Sequence, residues 1–252
     1  MRNISLIAKL FALGYTLLFV LSFDSRAAVI RNGGFEDPIV PDRFIVFTAG
    51  QQLGTNGWTV IGPSGATVML LKTTYDEPFG GYSLFNAQEG QNSLDITGLR
   101  NEGPNVGVSQ VIDTVIGKGY EISFYVGRIT PTGGPNDPYA HPATIDLKID
   151  SGTRISFTNS DITEGRNNWK KFSYTFTALN DTTTISFLNA TRLDTNQAGL
   201  DGISISSTIE PVPEPSTAWL IGLSLFGSIK RFWRVKVDHL RFFGNWGFAR
   251  KN

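Results

Sequence analysis

Glu121-Ile122-Ser123-Phe124-Tyr125-Val126 decides the fold class of this chain. Apolar and polar residues alternate with a period of two, the signature of a half-buried strand. Ile122, Phe124 and Val126 are expected on the core side, with Glu121, Ser123 and Tyr125 on the other. The turn Gly117-Lys118-Gly119 precedes the run. Outward from it the pattern repeats in 143–149, 153–157, 169–176, 184–188 and 203–205, each rich in β-branched or aromatic residues and bounded by Gly, Asn, Asp or Pro. Asp150-Ser151-Gly152 between two runs signals a hairpin. Phe172, Tyr174 and Phe176 make a second aromatic stripe opposite Lys171, Ser173 and Thr175, and such stripes read as core, not ligand platforms. Helical periodicity is scarce. The predicted fold is all-β, a jelly-roll β-sandwich over residues 28–209.

Composition narrows the function classes. Twenty-two basic and 22 acidic residues balance to zero net charge, which gives nucleic acid no electrostatic footprint. The absence of cysteine excludes thiolate zinc, a cysteine nucleophile and thiol redox chemistry. Only His141 and His239 are present, and no Gly-x-Ser-x-Gly elbow, His-Glu-x-x-His helix or phosphate-cradling loop occurs. No spacing singles out a carboxylate pair for glycoside hydrolysis. The chain therefore reads as a non-enzyme. Asn180-Asp181-Thr182 and Asn189-Ala190-Thr191 match glycosylation acceptors and are read as chance.

Both ends carry targeting patterns. Arg2 and Lys9, the apolar run 10–23 and the small-residue exit Ser25-Arg26-Ala27-Ala28 have the layout of a signal peptide, residues 1–27, for cleavage by signal peptidase after Ala27. At the other end Val212-Pro213-Glu214-Pro215-Ser216-Thr217 is stiff and extended, because proline suits neither a helix interior nor a central strand. An apolar segment, 218–229, and the cations Lys230, Arg231 and Arg234 follow. At about 1.5 Å per residue that segment is short for a bilayer core of about 30 Å. The tail, residues 210–234, resembles the PEP-CTERM sorting signal, a short hydrophobic sorting helix behind Pro213, Glu214 and Pro215. The resemblance implies an exosortase-type membrane transpeptidase as partner, the inner membrane as a way station during sorting, and the cell surface or extracellular matrix of a Gram-negative bacterium as destination. Residues 235–252, with Phe242, Phe243, Trp246 and Phe248 among cations, extend beyond the usual end of such tails; an interfacial segment and a shifted reading frame are both open readings.

The mature region carries an ordered set of landmarks: Asn32-Gly33-Gly34-Phe35-Glu36, Gly57-Trp58, Glu89-Gly90-Gln91-Asn92, Val108-Ser109-Gln110-Val111, Gly119-Tyr120-Glu121-Ile122 and Leu200-Asp201-Gly202-Ile203. In this order they resemble the galactose-binding-like jelly rolls, carbohydrate-binding modules included, and above all the secreted "domain of unknown function 642". The resemblance implies that Phe35 and Trp58 plug the core and that the opening and closing strands lie side by side. It also implies a structural calcium at their junction, held by Glu36, Glu89 and Asp201 through side chains and by Gly34 and Asn92 through carbonyls. Calcium takes six to eight oxygens. Against this, Glu36 and Asp201 serve equally well as turn caps, and Gly202 stands where related closing motifs carry a second acid.

Two loops are candidates for a ligand. Residues 74–86 hold Tyr75, Phe79, Tyr82 and Phe85, and residues 130–142 hold Asp137 and Tyr139. Sugar C–H faces stack on aromatic rings while hydroxyls pair with polar side chains. Tyr75, Phe79, Tyr82, Tyr139 and Asp137 are the expected binding residues; shielding of the sandwich ends is the alternative role. The preferred reading is a non-catalytic, surface- or matrix-associated module for polysaccharide or exopolysaccharide. A structural biofilm-matrix protein acting by protein–protein contacts is the alternative, and a secreted glycan hydrolase a distant third.

Overall fold

The computed structural model describes residues 27–73, 75–76, 84–131, 137–162 and 167–208. In chain order the strands are β1 (Phe44–Thr48), β2 (Gln52–Leu53), β3 (Trp58–Ile61), β4 (Thr67–Lys72), β5 (Tyr75–Asp76), β6 (Leu84–Phe85), β7 (Asn92–Asp95), β8 (Gly107–Asp113), β9 (Gly119–Ile129), β10 (Ala143–Ile149), β11 (Ile155–Asn159), β12 (Asn167–Thr177), β13 (Thr182–Asn189) and β14 (Gly199–Ser207). One sheet runs β1-β4-β7-β14-β9-β12 and faces a second that runs β11-β10-β13-β8-β3-β2; β5 and β6 pair separately. Every pairing is antiparallel. The architecture is the jelly-roll sandwich that the alternation predicts.

The face assignments hold. Ile122, Phe124 and Val126 are fully buried, and Phe124 meets Phe157 and Phe187 edge-on at centroid distances of 5.1 and 4.8 Å. Such edge contacts suit the ring quadrupoles and join the two sheets. Phe172, Tyr174 and Phe176 also face inward but stay half-exposed, because β12 is an edge strand with no neighbour on one side. At the hairpin between β10 and β11, Asp150 adopts a left-handed φ of 49° and Gly152 N–H returns to the Ile149 carbonyl at 2.9 Å.

The opening motif plugs the core as expected. Phe35 turns inward at a φ of 57°, a conformation that side chains with a Cβ resist, and is fully buried. Its ring lies 6.2 Å from that of Trp58, whose indole N–H reaches the Asn32 carbonyl at 3.1 Å. The motif Asn32-Gly33-Gly34-Phe35-Glu36 forms a tight entry turn, and among the described residues no strand precedes β1. This turn lies beside β14, through Ile203 N–H to the Gly33 carbonyl at 3.0 Å. Two consecutive glycines leave no side chain in the way: a Cβ on Gly33 would sit 2.0 Å from the Ile203 carbonyl oxygen.

Candidate functional site

The five expected calcium residues converge on the segment 88–92. Glu36 accepts Gln91 N–H at 2.9 Å and Asn92 N–H at 3.0 Å. Asp201 accepts N–H from Gln88 (2.9 Å), Glu89 (3.3 Å) and Gly202 (2.8 Å). Asn92 donates its side-chain amide to the Phe35 carbonyl at 3.2 Å. The carboxylate of Glu89 lies over Gly34, 2.9 Å from where a Cβ would stand. Asp201 is fully buried, and that desolvation, with the nearby charge of Glu89, pushes its carboxyl up to about 7 despite three N–H donors. Among the described residues no three acidic or histidine side chains are grouped so that they could hold a metal. What the junction does offer is all oxygen: two acids, Glu89 and Asp201, and the buried side-chain oxygen of Gln88, which has no hydrogen-bond partner.

The aromatic loops turn out differently from expectation. Residues 74–86 begin and end in a small hairpin, with Tyr75 opposite Phe85. Phe85 is buried and meets Tyr139 at 6.2 Å, so the two loops do come together. Tyr139 is a correction: it is 5% exposed, packed in a minor core with Leu71, Phe85 and Ile129, and presents no ring to a ligand. Asp137 caps the same turn, accepting Tyr139 N–H at 2.7 Å. Phe79, Tyr82, Pro213, Glu214 and Pro215 lie outside the described residues, and of Tyr75 only the backbone is described. Asn189 is fully buried with its amide on Asn101 at 2.6 Å, so it is no glycosylation acceptor. His141 pairs with Asp194 at 3.4 Å on the surface.

The side chains that do form a surface platform are on strands. On β12 Trp169 stands opposite Gly127 of β9, which in turn stands opposite Gly199 of β14. Cβ atoms on Gly127 and Gly199 would lie 2.8 Å from the indole, so the ring rests on bare backbone across two strands. Its N–H donates to the Asn86 carbonyl at 3.0 Å, which fixes its orientation. The buried amides of Asn167 and Gln197 flank it; Gln197 accepts Ile129 N–H at 3.1 Å. Two residues along the same face, Tyr125 carries Lys171 over its ring at 5.8 Å and covers Gly202. Trp169 and Tyr125 are both half-exposed. Sequence reasoning missed this platform. The available signal was a tryptophan out of phase with the core stripe of its own strand, plus glycines inside two other strands, where they weaken pairing and mark close approach.

The described residues thus form a two-sheet antiparallel sandwich with an aromatic platform on one outer face. Residues 26–205 match the profile described as HpiC1-like, HpiC1 cyclase, and the chain belongs to that family. Residues 211–236 match the PEP-CTERM protein-sorting motif, which marks the chain for export; they lie outside the described residues. No curated protein matches. Among solved structures, the CBM22-1 xylan-binding domain of Paenibacillus barcinonensis Xyn10C is 18% identical, over 66% of this chain and 94% of its own, at a TM-score of 0.37. TmCBM61 in complex with β-1,4-galactotriose is 16% identical over 73% and 100%, at 0.38. Arabinose-bound MgGH51 α-L-arabinofuranosidase is 13% identical over 72% and 26%, at 0.40. Likenesses at these scores carry no weight for function.

Proposed function

We propose that the domain is a non-catalytic glycan-binding module that works at the cell surface or in the extracellular matrix. The observation that carries the reading is the indole of Trp169 laid on Gly127 and Gly199. A rigid ring beside side-chain amides suits a saccharide, whose C–H face stacks while its hydroxyls pair. The family is named for a cyclase, yet the described carboxyl held protonated nearest neutral pH, Asp201, is fully buried and engaged by three backbone N–H groups. In affinity electrophoresis of residues 28–208 through a panel of polysaccharides, at least one glycan retards the protein, and Trp169→Ala abolishes that retardation. No retardation in any gel sinks the reading, and an unaffected variant sinks the Trp169 platform.

A structural matrix role draws on a different feature. Edge strand β12 is 11 residues long and carries half-exposed aromatics, a template for pairing with a second chain. Lys170 and Lys171 on that edge oppose such pairing, which ranks this reading second.

Calcium belongs to the proposal. The family resemblance implies it, and the junction supplies oxygen donors in Glu89, Asp201 and Gln88, one of them unpartnered. Bound there it would neutralise the two acids and tie the opening turn to β14. Exosortase as the processing partner and a Gram-negative surface as the destination are part of the same reading, and the sorting motif supports them.

A further inference from the structure

The opposite face of the sandwich carries a second recess, unrelated to the Trp169 platform. It measures about 250 Å³ and is lined by Arg31, Gln52, Asn56, Thr59, Ser109 and Val111 among others. Its floor is a cross-strand row on the outer face: Gln52 stands opposite Thr59, and Thr59 opposite Ser109. Neighbouring strands lie about 4.8 Å apart, so these side chains offer evenly spaced polar groups. Over the row sits Arg31, whose backbone is held from both sides by one buried side chain. Gln110 accepts Arg31 N–H at 2.8 Å and donates to the Arg31 carbonyl at 2.8 Å. The Arg31 backbone is thereby anchored at the rim by a contact 79 residues distant in sequence, and its side chain lines the recess. Among the described residues no carboxylate lies within ion-pair distance of it, and no acid lines the recess.

We infer that this recess binds a carboxylated sugar, a hexuronate unit of an acidic polysaccharide. A single guanidinium matches one planar, singly charged carboxylate through paired N–H donors. The hydroxyls of Thr59 and Ser109 and the amides of Gln52 and Asn56 can both donate and accept, as sugar hydroxyls require. Val111, 61% exposed, gives an apolar wall for a C–H face. A phosphate monoester, close to doubly charged at neutral pH, would call for more positive charge than one arginine. The inference stands independently of the Trp169 platform, on the other sheet. Together the two sites would let one domain hold two glycan chains on opposite faces.

Among the described residues every member of the main core lies between Ala28 and Ile205, so residues 28–208 are the unit suited to the test. Isotope-labelled protein is titrated with sodium galacturonate, galactose and sodium sulfate while amide resonances are followed. Galacturonate is expected to give saturable shifts at Gly57, Thr59 and Ser109, with at least fivefold weaker responses to galactose and to sulfate. Arg31→Gln, an exposed substitution that keeps the rest of the spectrum, abolishes those shifts; Trp169→Ala leaves them unchanged. The inference is overturned if galacturonate gives no saturable shift, if Arg31→Gln responds like the parent, or if sulfate binds as well as galacturonate. Failure of Trp169→Ala to alter glycan retardation would refute the platform and leave this recess standing.

Discussion

Removing metal from the protein and raising the pH tests the junction at Asp201. The buried carboxyl is pushed from 3.8 up to about 7 in the folded state, mainly by loss of solvent. Between those values the unfolded chain has released its proton and the folded chain retains it. Stability therefore falls as pH rises, by up to about 1.4 kcal/mol per unit. Over roughly three units the loss approaches about 4 kcal/mol, complete once pH exceeds the folded value. Asp194, held below its usual value by its hydrogen bond to Arg192, acts in the opposite sense, so the contribution is read as a difference. Urea unfolding in EGTA is measured from pH 4 to 8 for the parent and for Asp201→Asn. The parent's stability minus the variant's should decline steadily by several kcal/mol across that range. A flat difference, or one that rises with pH, refutes the buried-acid reasoning. Repeating the series in millimolar calcium separates the metal: ligation of the ionised carboxylate flattens the decline and raises stability most at pH 8.

Gly199→Ala places a Cβ 2.8 Å from the Trp169 ring, so the indole must lift, and glycan retardation falls with a loss of about 1–3 kcal/mol in urea unfolding. Trp58→Ala empties the space between Phe35 and Phe187 and is expected to cost about 3–5 kcal/mol, read from a lowered midpoint at unchanged slope. Tyr139→Ala should lower the unfolding midpoint by the equivalent of about 3 kcal/mol while leaving retardation by glycan intact, since the ring is buried against Phe85. A variant with normal stability and lost glycan binding would return Tyr139 to the ligand site.

Strands whose residues alternate over five or more positions were legible in the sequence. Ile122, Phe124 and Val126 declare a face because solvent lies on one side of β9 and core on the other. The clustering of Glu36, Glu89 and Asp201 was legible through the ordered landmarks, but not the use their oxygens are put to. That depends on four of the five residues 88–92, Gln88, Glu89, Gln91 and Asn92, presenting N–H groups to Glu36 and Asp201 from the two ends of the domain. Loop aromatics misled, because Phe85 and Tyr139 lie far apart in sequence and only their packing shows that each buries the other. Trp169 escaped for the reverse reason. Its partners are the missing side chains of two glycines, and an absence in one strand signals a platform only once cross-strand register is known.

The last strand, β14, lies between β7 and β9, near the middle of its sheet. Until it arrives, that sheet is two separate ribbons, β1-β4-β7 and β9-β12, each with an open edge. A polypeptide threaded through a narrow translocation pore, amino end first, therefore cannot complete its fold while residues 199–207 are still behind. In such a passage the two ribbons would join only after residues 199–207 had emerged, and the sorting motif at residues 211–236 follows directly behind that closing strand in sequence.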